Sequence, residues 1–321
     1  MFLKGILGIG DVKQRFLQDQ LGLLKHIVKL FVVRYPFQNL SSFGQWRPVD
    51  RFPPGRRAMF ETIITGVGGL CGHNNAFLMY QLEALGYKTR FYQGEFVRTG
   101  IPHSHCTFTV TIPERVAKGK TYADRPKGDR TYLIDAGIGI PLHEPVPLDE
   151  LPFTRRGGGF NFRYEWKNQP DKSVKILQRL NLGGDALIGQ KSEDFISPQN
   201  YIVTMSTPKS FKDSKEPIAA VYTNPHSVFL HQGIYAFRYL SINEDDDDYK
   251  AVCIRGKELI RITKETRSVE KFASYADMEP ILKEYFPMIP SQHVKASIAH
   301  YDMPFEDALK LPSVRERLYN Y

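Results

Sequence analysis

The sequence predicts an α+β protein. Helices run to about residue 90, a small antiparallel sheet or barrel covers about 90 to 210, and the last third mixes both types. Three observations predict this. Apolar residues recur at helical spacing before residue 90, the period then switches to two, and the last third carries both hairpin and helix signals.

Taking the elements in order, Leu21, Leu24, Ile27, Val28 and Phe31 fall on one helical face before Pro36 stops the run. A second helix is expected to start near Cys71, after Gly68 and Gly69. Asn75, Leu78, Leu82 and Leu85 share one of its faces, and Gly86 is its stop. Cys106, Phe108, Val110 and Ile112 alternate with threonines, the pattern of a half-buried strand. Thr131–Ile134 reads as the next strand, ending at Asp135, and residues 113–130 form a long polar connection. Phe160, Phe162, Tyr164 and Trp166 make a strand that turns at Asn168–Asp171 into a second one from Val174 to Leu177. Further on, Ala251–Ile254 and Leu259–Ile262 form a hairpin. Asp277 is expected to cap a helix that tolerates Pro280 and runs to Phe286, and Pro304–Tyr321 is helical again. The chain therefore divides at 1–90, 91–210 and 211–321.

Composition narrows the class. The 321 residues are 42% hydrophobic and 24% charged, an ordinary globular balance. Three unclustered cysteines, Cys71, Cys106 and Cys253, argue against a disulfide framework and a structural zinc site. A reducing, cytoplasmic setting is expected. The N-terminus lacks a secretory h-region, and Leu21–Tyr35 is too short and too charged to span a bilayer, so no membrane role is expected. The net charge of +8 is scattered. Its densest stretch, Arg115–Arg130, is loop-like, and no zinc finger, ribonucleoprotein motif or basic helix accompanies it; no nucleic-acid partner is expected. The acidic run Glu244–Asp248 lacks the ligand spacing of a calcium loop. His143, His226, His231, His293 and His300 show no ligand spacing either, so no metal is expected.

Chemistry concentrates at Cys71. A helix start after a glycine pair lowers a thiol's pKa through unsatisfied N–H groups and the helix dipole, and the glycines leave room for an oxyanion. A nucleophile needs a base, and the base needs an orienting group. His103 and His105 precede one strand and Asp135 ends the next, so antiparallel pairing would bring His105 and Asp135 together. The bland alternatives are a buried structural cysteine and a turn aspartate before Gly137 and Gly139. They explain each residue singly but not the ordered set.

These residues sit in segments that resemble the arylamine N-acetyltransferase family. Its hallmark, Arg-Gly-Gly-x-Cys-x-Glu-x-Asn, is matched by Val67-Gly68-Gly69-Leu70-Cys71-Gly72-His73-Asn74-Asn75. Pro36-Phe37-Gln38-Asn39-Leu40 resembles the family's Pro-Phe-Glu-Asn-Leu element, and Asp135-Ala136-Gly137-Ile138-Gly139 its Asp-Ala-Gly segment. His105 begins a strand like the family's catalytic-histidine strand, and the spacing to Val110 selects it over His103. Tyr222-Thr223-Asn224-Pro225-His226-Ser227-Val228-Phe229 is similar to the segment near the coenzyme A site. The likeness runs from about residue 20 to 290, and the double asparagine Asn74–Asn75 resembles fungal members. Val67 and His73 depart from the hallmark, replacing what looks like a supporting charge pair.

The resemblance implies an N-terminal helical bundle, a central antiparallel barrel, a C-terminal α/β lid and a cysteine-protease-like core. It implies ping-pong transfer through Cys71, with His105 as base and Asp135 as orienter. No cofactor is held; acyl-coenzyme A, by default acetyl-coenzyme A, is the cosubstrate, and an arylamine, hydrazine or arylhydroxylamine is the acceptor. Phe37 and Ile138 would line the acceptor pocket, and Pro225, His226 and Ser227 would contact coenzyme A. Malonyl or propionyl selectivity, a hydrolase or transamidase on the same fold, and an impaired binding protein are the alternatives.

Overall fold

The computed structural model describes residues 2–43, 56–96, 104–113, 128–157, 160–171, 173–182, 200–213, 218–219, 221–222, 233–243 and 248–302. A π-helical turn at Phe2–Ile6 buries Phe2 and leads into α1 (Val12–Gln18) and α2 (Gln20–Arg34). Asp19 caps α2 by accepting from the Gly22 N–H at 2.8 Å. Of the predicted apolar stripe, Leu24, Ile27, Val28 and Phe31 are all within 1% of full burial, while Leu21 is half-buried and Leu23 is buried instead. Beyond Arg34 the chain runs into β1 (Phe37–Gln38), α3 (Leu40–Phe43) and α4 (Arg56–Ile64).

Helix α5 (Cys71–Leu85) starts and stops where glycines predict, with Gly86 in the left-handed region at φ 108°. It is not the one-faced helix its spacing suggested. Every residue from Cys71 to Met79 is buried, His73, Asn74 and Asn75 included. The physical reason is position: α4 packs on one side and the large sheet on the other, so the first two turns have no face left for water.

That sheet has eight strands: β2 (Lys88–Phe96), β3 (His105–Ile112), β4 (Arg130–Ile134), β5 (Val146–Pro147), β6 (Phe153–Gly157), β7 (Phe160–Lys167), β8 (Ile176–Asn181) and β9 (Tyr201–Thr204). Their order is β5-β4-β3-β2-β9-β8-β7-β6, with every pairing antiparallel. Its two edges, β5 and β6, are consecutive in the chain, and the sheet curls into a nearly closed barrel. An ion pair from Arg155 on β6 to Glu144, just before β5, joins the edges at 2.7 Å. Strand β8 starts two residues later than its alternation suggested. Asp171 first holds a turn, accepting from the Ser173 N–H at 2.8 Å.

A second sheet, in the order β1-β10-β11-β12-β13, adds β10 (Tyr235–Ile242), β11 (Tyr249–Arg255), β12 (Glu258–Thr263) and β13 (Arg267–Lys271). Phe37 and Gln38 from the helical third thus pair with Phe237 and Ala236. Asp277 does not cap the following helix. Its carboxylate accepts from the Ser274 N–H and hydroxyl at 2.9 and 2.8 Å, and α6 (Glu279–Tyr285) begins after a 3-10 turn, with Met278 at its N-cap. The competing local turn wins because both Ser274 donors lie within its reach. Helix α7 (Ser291–Asp302) follows. Pro304–Tyr321, the connection over 114–127, residues 244–247 of the acidic run and Pro225–Ser227 lie outside the described residues. Among the described residues, no helix is long and apolar enough to cross a membrane and no cluster of metal-binding side chains occurs.

Phe31 is fully buried, its ring centroid 4.6 Å from that of Tyr35. Phe31→Ala should cost about 3–5 kcal/mol in urea unfolding; a loss below about 1 kcal/mol would show that the α2 stripe is not core.

Candidate active site

The approach to Cys71 is built from backbone. Pro36 accepts from the Gly69 N–H, and the Gln38 N–H donates back to the Gly69 carbonyl, both at 3.2 Å. Gly68 lies at φ 70°, where a Cβ would stand 2.1 Å from the Pro36 oxygen, so only glycine lets the loop pass this close. Leu70 is extended and offers no side-chain cap, and Cys71 opens the helix, where the positive end of the helix dipole favours a negative charge.

Strand register supplies the other two residues. Pairing of β3 with β4 runs from Ile112↔Arg130 to Phe108↔Ile134, so His105 and Asp135 both lie just past the paired stretch, at the same end of the sheet. His105 Nε2 donates to Asp135 Oδ2 at 3.1 Å, and both side chains are at most 1% exposed. This leaves Nδ1 as the ring nitrogen available to sulfur. The Cys71 thiol lies close enough to the ring for the two to shift each other's titration.

Each shift has a cause. A hydrogen bond from the Cys106 thiol is the largest influence on Cys71; burial opposes it, and His105 and the Cys106 backbone add to it, leaving the Cys71 thiol well below its ordinary value. Cys106 is pushed well up, chiefly by burial. Burial alone would lower His105, but the charge and hydrogen bond of Asp135, helped by Cys71, raise it to about 9. Burial would likewise raise Asp135. The His105 charge and hydrogen bond outweigh it, with help from Arg179 and the Tyr201 hydroxyl, and hold the carboxyl below its usual range.

Sequence reasoning did not assign Asn75 to the site. It sits one turn below Cys71, and its Nδ2 donates to Asp135 Oδ1 at 2.9 Å and to the Cys106 carbonyl at 2.7 Å. The signal was available: a polar residue on an apolar helical face, four positions after the cysteine. Gly137 lets the aspartate segment approach, since a Cβ there would meet the Asn75 side chain at 2.9 Å. Cys106, Tyr201 and Arg179 were also missed. Parity on β8 places Arg179 with the buried Leu177, which was a usable signal for an inward cation; Tyr201 carried none.

Phe37 and Ile138 are buried in the same apolar cluster as Cys71, with the Phe37 ring 5.9 Å from that of Tyr235. His73 does not compete for the sulfur as a base. Its ring packs on Gly69, its Nδ1 faces the Tyr222 hydroxyl at 3.5 Å, and burial lowers it to about 4, so it is neutral near pH 7. Gln38, which stands where the family element has glutamate, donates to the Val67 carbonyl at 3.2 Å and to Ser41 Oγ at 2.7 Å. A neutral contact thus holds Val67. His103 lies outside the described residues.

A family model described as N-acetyltransferase matches residues 20–289, 270 of the 321 positions. The chain belongs to the arylamine N-acetyltransferase family. It is an acyltransferase. No curated protein matches it. Among solved structures it is similar to the arylamine N-acetyltransferase from Mycobacterium abscessus at a TM-score of 0.65 and 17% identity, covering 92% of this chain and 95% of that one. The Nocardia farcinica enzyme gives 0.64 and 18%, covering 95% and 97%. The Mycobacterium marinum enzyme in complex with CoA gives 0.62 and 17%, covering 91% and 95%. At such identities the likeness is one of fold, the fold expected of an arylamine N-acetyltransferase with its cysteine-protease-like core.

Two outcomes test the electrostatics. With Cys71 held as thiolate against a ring protonated up to about 9, its alkylation by iodoacetamide should vary little between about pH 6 and 8; an ordinary thiol gains about tenfold per unit there. A tenfold rise would contradict the ion pair. The second is stability. His105 binds its proton more tightly folded than unfolded, so its contribution is complete below pH 6.5 and is lost as pH rises through about 9. Cys71, held below its ordinary value, contributes the opposite slope in the wild type, so the His105 contribution is read in Cys71→Ala: its urea midpoint should fall as pH rises above 6.5, and that of Cys71→Ala with His105→Gln should fall less.

Proposed function

We propose that the protein transfers an acyl group from acyl-coenzyme A to an arylamine, hydrazine or arylhydroxylamine by a ping-pong reaction through Cys71. The observation that carries this is the buried His105–Asp135 hydrogen bond at 3.1 Å beside a thiol at a helix start. The Cys71 thiolate attacks the thioester carbonyl, and the oxyanion develops beside the first-turn N–H groups of α5. Collapse expels coenzyme A, whose sulfur takes the proton from His105, and leaves an acyl-thioester on Cys71. The amine then attacks that thioester, His105 accepts the nitrogen's proton, and the thiolate leaves. Base assistance of this kind contributes about 10²–10⁴ in rate. Asp135 fixes the ring tautomer and supports the imidazolium.

We read acetyl-coenzyme A as the default donor, Phe37 and Ile138 as lining the acceptor side, and Pro225, His226 and Ser227 as coenzyme contacts. The first two rest on burial in the cluster around Cys71, the last three on motif resemblance alone. The divisions 1–90, 91–210 and 211–321 would then carry the nucleophile, the base with its orienter, and the lid. Three free cysteines, all buried, fit a reducing cytoplasm.

Incubation with acetyl-coenzyme A should add one acetyl group to the wild type by intact mass and none to Cys71→Ala; an adduct on the variant would refute the assignment. Acyl-coenzyme A consumption should depend on added arylamine, and turnover indifferent to the amine would mean hydrolysis instead.

A further inference from the structure

Arg179 is the largest fully buried side chain of the described residues. It lies on β8 opposite Tyr164 of β7 and Tyr201 of β9. Its guanidinium carbon stands 3.7 Å from the Phe162 ring centroid, and 5.7 and 6.0 Å from those of Tyr201 and Tyr164. Nη2 donates to the Ile140 carbonyl at 3.0 Å, five residues past Asp135. Nε and Nη1 find no hydrogen-bond partner among the described residues. A guanidinium does not shed its proton to escape burial, so this charge needs an opposite one nearby. No carboxylate of the described residues pairs with it directly, and the buried anion within its field is Asp135.

Charge counting explains the arrangement. The thiolate of Cys71, the imidazolium of His105 and the carboxylate of Asp135 sum to one negative charge in a buried site, and one buried cation balances it. On the reading that these three residues carry the reaction, we propose that Arg179 is a positioning residue for it. It acts from inside the barrel through Asp135, neutralising the row without touching substrate.

The titratable groups around the row come from every element packed on it: Cys71 from α5, His105 and Cys106 from β3, Asp135 after β4, Tyr164 from β7, Tyr201 from β9 and Tyr235 from β10. Burial pushes all three phenols up, so none ionises across the working range. A neutral residue at position 179 should therefore act on the row alone. Removing the cation disfavours each negative form, so ionisation of Cys71 and deprotonation of His105 should both move to higher pH. Loosened packing would lower the rate without moving the two together.

The test uses the full chain with Arg179→Met and Arg179→Gln, each checked for folding by circular dichroism; the glutamine keeps a donor for Ile140. Thiolate absorbance and iodoacetamide alkylation are followed against pH, with Cys71→Ala as background. Both transitions should rise by about one pH unit, about a tenfold loss of thiolate at fixed pH on the acid side, and Arg179→Lys should bring them back. Transitions unmoved in a folded neutral variant would overturn the proposal, as would an equal shift in Arg179→Lys. The titration needs no substrate. Absence of acyl transfer in the wild type would thus sink the reading of Cys71 while leaving the role of Arg179 to be judged on its own.

Discussion

The hydrogen bond between His105 and Asp135 is the constraint around which the rest is arranged. Two ionised groups in a buried site carry a desolvation cost that only good geometry and further partners offset. Asn75 occupies the second carboxylate oxygen, the Tyr201 ring lies 4.7 Å from the imidazole, and the strand register holds both partners at one end of the barrel. The Cys71 thiolate depends in turn on this pair. An imidazole with nothing behind it would lose its proton on burial, and the thiol would regain one.

Helix α5 and the barrel meet at this point, and neither makes the site alone. The helix brings the sulfur, the dipole and Asn75; the barrel brings His105, Asp135 and the buried cation. Asn75 ties the two, since one side-chain amide reaches both the aspartate and the strand carbonyl. The departures from the family hallmark lie beside the same seam. With glutamine at 38, valine at 67 and a neutral histidine at 73, the loop before Cys71 holds no unpaired buried charge, and backbone hydrogen bonds to Pro36 and from Gln38 keep it in place. The path of the loop also requires glycine at 68, which passes close beneath the Pro36 carbonyl.

Helix α2, the start and stop of α5, strands β3 and β4 and the C-terminal hairpin were legible because each is set by local rules: periodicity, caps and glycine punctuation. Cys71, His105 and Asp135 could be ordered along the chain for the same reason, since each marks the end of such an element. The errors were local signals overruled by neighbours. Asp277 had a serine turn to join, β8 began only after Asp171 released the chain, the first two turns of α5 are buried on all sides although the sequence suggested one face, and β3 is buried on both faces from His105 to Val110 where its alternation suggested one.

The sequence by itself determined which elements form and which residue types stand at their ends, because those choices depend on contacts a few positions apart. Only the tertiary structure decided that Asn75 clamps Asp135, that the Cys106 thiol supports the Cys71 sulfur, that Phe37 and Gln38 join the far sheet, and that Arg179 is enclosed in the barrel. Those partners lie some 30 to 200 positions apart, and their meeting depends on how the sheet curls, on strand order, and on which charges burial forces to share one space.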